Sequence, residues 1–342
     1  MNQSLIARLQ PADVVEYPKA HLGLTWKRLT AADLAELTLL IRYCETADNA
    51  LHSVNDQRIA LFLEYNLGVL PAEAIVGRDA AGKLVAFAGV EIQIPDEDIA
   101  RAEVVAFISP DFRGRGIGRA VLKWQESRAR QLFVEVLGDD STLEVRLANL
   151  VDAHVDDRRR LYMAAGFSSR RTFEVMYHQF TNTEVEVAQP CNGYIIQPWA
   201  VVSDATLQQV HDQAFKDHWG TKEEARSWWL LSRPGLDPRW SFVALDPEGT
   251  VVGYVMVCRH PARWVQAQRS EAYIELLGVS PDARAHGLGK ALLTSAMAAA
   301  QAAGVEAIGL DVDRDNPHGA RDFYERMGFA TEGYQIYYAL DL

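Results

Sequence analysis

The sequence predicts an α/β protein of two tandem domains, each a central mixed, mainly antiparallel sheet flanked by helices. Three observations lead there. The 342 residues exceed one ordinary core, since single domains mostly run about 100 to 200 residues. One long motif occurs twice. Around each copy, short β-prone runs alternate with segments of helical apolar period, punctuated by Gly and Pro.

The repeat reads Glu103-Val-Val-Ala-Phe-Ile-Ser-Pro-Asp-Phe-Arg-Gly-Arg-Gly-Ile-Gly118 in the first half and Ile274-Glu-Leu-Leu-Gly-Val-Ser-Pro-Asp-Ala-Arg-Ala-His-Gly-Leu-Gly289 in the second. Each copy is an apolar strand, then Ser-Pro-Asp, then Arg-x-x-Gly-x-Gly, then an amphipathic helix. A second shared element follows, Tyr162-Met-Ala-Ala-Gly-Phe167 and Tyr324-Glu-Arg-Met-Gly-Phe329, after a longer interval in the first copy. The polar, proline-containing stretch Thr181–Asn192 between the copies is read as a linker. It bounds an N-terminal domain over residues 20–183, read as degenerate, and a C-terminal domain over 190–342, read as catalytic.

In the second domain Gly193–Pro198 is expected as a first strand, with helices over Asp204–Phe215 and Lys222–Leu231. A hairpin over Ser241–Leu245 and Thr250–Arg259 turns at Asp246-Pro-Glu-Gly249. Glu271–Val279 is a fourth strand, and Leu288–Ala303 is a helix that Gly304 ends. Val305–Val312 is a fifth strand, Ala320–Met327 a helix stopped at Gly328, and Phe329–Ala339 closes the sheet.

Composition narrows the function classes. A formal charge of −12 opposes nonspecific attraction to nucleic acid or to anionic membrane, which reward clustered Lys and Arg. The runs Arg113–Arg115, Arg158–Arg160 and Arg170–Arg171 suit at most a small phosphorylated ligand, and Arg158–Arg160 reads first as a solvated helix face. Three scattered cysteines, Cys44, Cys191 and Cys258, form neither a disulfide framework nor a CxxC knuckle. With no signal-peptide pattern at the start and no apolar run long enough to span a bilayer, a cytoplasmic protein is expected. No HExxH or Cys/His cluster suggests a metal, and no Gly-x-Ser-x-Gly elbow suggests a serine nucleophile.

The repeated loop carries chemistry. A strand that runs through Arg-x-x-Gly-x-Gly into a helix leaves unpaired backbone N–H groups at the helix start, where the helix dipole also favours an anion. That is a pyrophosphate cradle, with glycine at Gly287 and Gly289, and at Gly116 and Gly118, where ligand oxygens approach the main chain. It is not a P-loop, because Gly289-Lys290 is followed by Ala291, and it lacks GxGxxG spacing.

The combination of strand, Arg284-x-x-Gly-x-Gly289, helix, strand, Asn316-Pro-His-Gly319 and Tyr324-x-x-x-Gly-Phe329 resembles the GNAT superfamily of CoA-dependent N-acyltransferases. The doubling resembles tandem members such as the mycothiol synthases. The resemblance implies a sheet that splays between its fourth and fifth strands to admit pantetheine, and acetyl-CoA as co-substrate. Amides around Leu277 and Val279 would bond the thioester carbonyl and pantetheine, while Arg284, Ala285, His286, Gly287, Leu288, Gly289 and Lys290 hold the diphosphate. A backbone N–H aimed at that carbonyl is worth roughly 3 kcal/mol to the developing oxyanion. Tyr324 would protonate the departing thiolate, and Glu275 would take the amine's proton directly or through water. Asn316 would hydrogen-bond the cofactor. Each has a plainer alternative: core packing for Tyr324, a solvent-facing strand glutamate for Glu275, a helix N-cap for Asn316.

Aligning Arg113 with Arg284 sets Val104 opposite Glu275, with Glu103 one position away, and His154 stands opposite Asn316. The first copy keeps Tyr162 and a possible second CoA site at Ile108, Arg113, Gly114, Arg115, Gly116, Ile117 and Gly118, but loses two partners. Acceptors in the superfamily lie against the loop between the first two helices, which contains Asp217, His218 and Trp219; charge and ring faces there suit a cationic amine, and core packing is the alternative. The expected activity is direct acetyl transfer to the primary amine of a small molecule, with no nucleic-acid or membrane partner. Protein N-acetylation and a silent acyl-CoA-binding module are the other readings.

Overall fold

The computed structural model describes residues 3–19, 23–54, 72–93, 98–215, 232–233, 235–316 and 319–342. Its contacts divide the chain into two units, Met1–Thr172 with Gln335–Leu342, and Phe173–Tyr334.

In the first unit the strands are β1 (Thr25–Arg28), β2 (Ala72–Arg78), β3 (Leu84–Ile92), β4 (Ile99–Ile108), β5 (Glu144–Asp152) and the last strand of the chain, β12 (Ala330–Asp341), in the order β1-β2-β3-β4-β5-β12. All neighbours are antiparallel except β4 and β5. The helices are α1 (Leu5–Leu9), α2 (Leu34–Asp48), α3 (Ile117–Leu137) and α4 (Asp156–Ala164). Every residue of β3 is buried because both faces are covered. Ala86, Ala88 and Val90 pack with Val121, Leu122 and Phe133 of α3, while Phe87 packs with Leu37, Leu40 and Ile41 of α2. A two-sided strand reads as a continuous apolar run, as Leu84–Val90 does before Glu91.

The second unit repeats the plan with β6 (Ser168–Gln179), β7 (Ile195–Pro198), β8 (Phe242–Leu245), β9 (Val251–Arg259), β10 (Glu271–Val279) and β11 (Ala307–Asp313), in the order β6-β11-β10-β9-β8-β7. Among the described residues only β10 and β11 run parallel. The helices are α5 (Asp204–Ala214), α6 (Pro261–Ala267), α7 (Leu288–Ala302) and α8 (Ala320–Arg326). On β9, Val255 and Val257 face α7 through Leu288, Leu292 and Ala296. Tyr254, Met256 and Cys258 face the other way, toward Leu207 and Val210 of α5. The Ala-rich α7 buries Ala291, Ala296 and Ala300, small residues that let the helix lie close on the sheet. Full burial of a side chain such as Leu292 contributes about 2 kcal/mol.

The expected strands and helices of this half fall within a few residues of the observed ones, apart from Lys222–Leu231, which lies outside the described residues, and α6, which the sequence reading did not include. The units differ from a contiguous division in two segments. Phe173–Gln179 of β6 pairs with β11 in the second unit, and Gln335–Asp341 of β12 pairs with β5 in the first. Each unit thus receives a strand segment from the other half of the sequence. The stretch Thr181–Asn192 does not hang free. Gln301 of α7 donates to the carbonyls of Thr181 and Thr183 and accepts from the Val185 N–H, Thr294 accepts from Ala188, and Cys191 donates to the His286 carbonyl. Among the described residues no helix is long and apolar enough to cross a membrane.

Candidate active site

Two features of β10 shape the site. It pairs with β11 only over Glu271–Ile274, against Ala307–Leu310, and its remaining residues have no strand partner on that side among the described residues. The register with β9 also shifts between Ile274 and Leu276, so Glu275 is the extra residue of a β-bulge. A splay between these two strands is what the family resemblance implies. The bulge was not legible, since nothing in Ile274-Glu-Leu-Leu-Gly marks it. Leu277 and Val279 are half-buried on the unpaired stretch.

The cradle follows at the carboxyl end of β10. Pro281–Ala283 form one tight turn, Ala285 and Gly287 take left-handed backbones with φ of 67° and 76°, and α7 starts with Gly287 at its N-cap. No side chain caps the helix, and its first backbone bond is from Ala291 to the Gly287 carbonyl. The N–H groups of Leu288, Gly289 and Lys290 are therefore left for a ligand. A Cβ at Gly287 or Gly289 would meet no protein atom within 4 Å, so the space above the main chain is open. These residues fit a diphosphate.

Two cradle side chains do other work. Arg284 turns inward, its guanidinium donating to the carbonyls of Val279 at 3.3 Å and Ala214 at 3.0 Å, and so ties the loop to the end of β10 and to α5. The His286 ring sits 3.2 Å from the Ala283 carbonyl and against Tyr194. Lys290 is exposed.

Because β10 and β11 are parallel, α8, which follows β11, starts from the same edge of the sheet as the cradle, the carboxyl ends where α/β folds place ligands. Tyr324 lies on α8, half-buried against Phe323 and Phe329. Burial pushes its hydroxyl up to about 12, and that hydroxyl has no hydrogen-bond partner among the described residues. Asn316 is half-buried before α8, whose N-cap is Gly319, so Asn316 does not cap that helix. Glu275 accepts from Nε2 of His260 at 2.7 Å, a partner that sequence reading did not single out. Asp217, His218 and Trp219 lie outside the described residues.

The first unit has the corresponding parts in a different state. β4 and β5 also part after Glu103 and Ala148, but β4 keeps an unshifted register with β3 from Ala102 to Ile108, with no bulge at Val104. Gly114 and Gly116 take the left-handed positions of Ala285 and Gly287. A cavity of about 300 Å³ is lined by Ile108, Arg113, Gly114, Gly116, Ile117 and Gly118. Arg113 pairs with Asp48 of α2 and donates to the Ile108 carbonyl at 3.1 Å, while Arg115 donates to the Asp111 carbonyl at 2.7 Å. Arg158 also reaches Asp48, at 3.1 Å, so that it is half-buried and not part of a solvated face.

Where the parallel strands part, Asn149 donates to the Val104 carbonyl and, at 2.6 Å, to the Tyr162 hydroxyl. Tyr162 is 4% exposed, and burial raises its hydroxyl to about 12 against the pull of Arg158 and Asn149. Asp311 holds the matching place in the second unit, next after the last parallel pair; it is exposed and lies beside the Tyr273 hydroxyl. His154 is taken up by the Asp48 carbonyl at 2.8 Å.

Comparison with known proteins agrees with this duplicated architecture. The profile of the Acetyltransferase (GNAT) family matches residues 40–167 and again 205–329. The chain is 27% identical over 320 residues to a mycothiol acetyltransferase of Stackebrandtia nassauensis, covering 89% of this chain and 94% of that protein. It is 28% identical over 335 residues to that of Frankia alni, covering 92% and 94%. Among solved structures, a GCN5-related N-acetyltransferase from Sphaerobacter thermophilus superimposes with a TM-score of 0.67 at 19% identity, over 95% of this chain and 97% of that one. A tandem GNAT protein from the clavulanic acid biosynthesis pathway gives 0.66 at 16% identity, over 93% and 98%. These two show the fold. With both halves matched by one family profile, the chain belongs to the GNAT acetyltransferase family, in which an acetyl group passes from acetyl-CoA to an amine.

Proposed function

We propose that the second unit transfers the acetyl group of acetyl-CoA directly to the primary amine of a small molecule, and that the first unit does not catalyse. The observation that carries this reading is the splay after Ile274, with a bulged Glu275 beside it, an α7 without a side-chain cap, and a Tyr324 hydroxyl, on the helix after β11, that has no hydrogen-bond partner among the described residues. The N–H groups of Leu288–Lys290 take the diphosphate, and main-chain donors of β10 near Leu277 and Val279 face the thioester carbonyl. Asn316 makes a further hydrogen bond to the co-substrate.

In the step itself the amine nitrogen forms a bond to the carbonyl carbon and the carbon–sulfur bond breaks. Glu275 accepts the amine's proton, and Tyr324 gives its own to the departing sulfur. Positioned acid–base groups of this kind contribute about 10²–10⁴-fold in rate. A hydroxyl held near 12 stays protonated at neutral pH, the form an acid needs. The relatives named mycothiol acetyltransferases make a mycothiol-type amine the first acceptor to test. A cytoplasmic setting fits such a substrate.

The test is CoA thiol release from acetyl-CoA, read with a thiol dye across a panel of amino sugars, cysteinyl amines, polyamines and aminoglycosides, with the acetylated product identified by mass. Turnover of a small amine is the expected result. Tight CoA binding without acceptor-dependent thiol release would overturn the reading.

A further inference from the structure

Glu275 has a weakness that its position creates. As the extra residue of a bulge it has no directly opposed neighbour on β9, and it lies beyond the last pair with β11, so cross-strand contacts do not fix its side chain. His260 supplies a fixing contact. It stands between β9 and α6 and precedes Pro261, which keeps its backbone out of the helical region; φ is −121° and ψ 78°. Its carbonyl accepts from the N–H groups of Arg263 at 2.9 Å and Trp264 at 3.3 Å, closing the first turn of α6. Its ring stands edge-on to Tyr273, with centroids 6.0 Å apart. Nε2 lies 2.7 Å from Oε1 of Glu275, the side chains being 20% and 24% exposed. Nδ1 is buried without a hydrogen-bond partner among the described residues, so the contact to Glu275 is the polar contact that orients the ring. A carboxylate only accepts, so Nε2–H is the donor.

We propose that His260 is a positioning residue for acetyl transfer: it holds Oε1 of Glu275 and leaves Oε2 to accept the acceptor amine's proton. This rests on the reading of Glu275 as the base. The bonds made and broken are those already described, and His260 exchanges no proton with substrate. In the first unit β3 and β4 pair without a shift and valine stands at 104, so there is no bulge and no carboxylate at the position of Glu275.

The experiment uses the full chain with acetyl-CoA and the best amine of the panel, comparing His260→Ala, His260→Gln, Glu275→Gln and the Glu275→Gln/His260→Ala double variant. His260→Ala is expected to lower kcat about tenfold, the scale of one lost hydrogen bond to a charged group, with KM for acetyl-CoA unchanged. His260→Gln, whose amide N–H reaches the same oxygen, recovers most of the loss. In the Glu275→Gln background, His260→Ala has no further effect. Wild-type kcat in His260→Ala, or a second tenfold loss on top of Glu275→Gln, overturns the positioning role and leaves the base in place. Full activity in Glu275→Gln overturns the base and this inference together. Proton–nitrogen correlation of the imidazole in the wild type needs no acceptor and no folded histidine variant. An Nε2–H signal that moves in Glu275→Gln is expected, and an Nδ1–H tautomer overturns the proposal.

Discussion

In the first unit the gap between the parallel strands is bridged by Asn149, which ties the Val104 carbonyl to the Tyr162 hydroxyl. At the equivalent place in the second unit Asp311 is exposed beside the Tyr273 hydroxyl, and the Tyr324 hydroxyl has no hydrogen-bond partner among the described residues. The two copies share a topology, a cradle and a tyrosine, yet that tyrosine's hydroxyl is hydrogen-bonded by Asn149 in one and has no hydrogen-bond partner among the described residues in the other. A motif therefore locates a site without saying whether it works. What separates the copies is how polar groups are satisfied where the strands part, together with one extra residue in β10.

The largest expected difference concerns the residue at the bulge. Glu275→Gln is expected to lower kcat by about 10²-fold or more while leaving CoA affinity unchanged, since it removes a proton acceptor and no cradle contact. Val104→Glu in the first unit is expected to add no activity and to destabilise, because Val104 is fully buried and pairs in an unshifted ladder. Initial rates and calorimetric CoA binding check both.

Next comes the bridge itself. Asn149→Ala takes the amide donor from the Val104 carbonyl and the Tyr162 hydroxyl, leaving the carbonyl only the 3.5 Å bond from that hydroxyl, a loss of about 1–3 kcal/mol for buried polar groups, read by chemical denaturation. Turnover is expected to stay at the wild-type value, and a loss of activity would mean that the first unit takes part in catalysis.

Alkaline pH gives a third test, since burial raises the Cys44 thiol to about 11 from an ordinary 9.0. A folded value above the unfolded one contributes stability that is complete below about pH 9 and is lost as pH rises toward about 11. Across that window the wild type should lose on the order of 2 kcal/mol more than Cys44→Ala, measured by denaturant midpoints at a series of pH values.

The smallest expected effect compares the cradle glycines. A Cβ at Gly289 meets open space, whereas one at Gly118 meets Leu161 at 3.2 Å. Gly289→Ala should stabilise the protein by up to about 1 kcal/mol through helix propensity and still weaken CoA binding, by about tenfold. Gly118→Ala should bring a smaller stabilisation, or none, with overall turnover unchanged.

Much of this was legible in the sequence. The repeat, Ser-Pro-Asp before each cradle and the glycines at helix starts have local causes, so they survive as pattern. The exchange of β6 and β12 segments was not, because register between distant strands depends on packing that no local window contains. The Asn149 bridge and the inward turn of Arg113 and Arg284 were hidden for a similar reason: Asn on a strand and Arg in a basic loop show their partners only when Tyr162, Asp48 or Ala214 arrives through the fold. His260 escaped notice because it sits before a seven-residue helix too short to show a period, fifteen positions from the carboxylate it meets.

The claim that acetyl transfer belongs to the second unit is tested most directly by thiol release from acetyl-CoA in Tyr324→Phe and Tyr162→Phe, assayed side by side with one accepted amine. A fall of about 10²-fold or more in Tyr324→Phe with an unchanged rate in Tyr162→Phe is the predicted result. Equal rates in the wild type and Tyr324→Phe, or a loss confined to Tyr162→Phe, would contradict it.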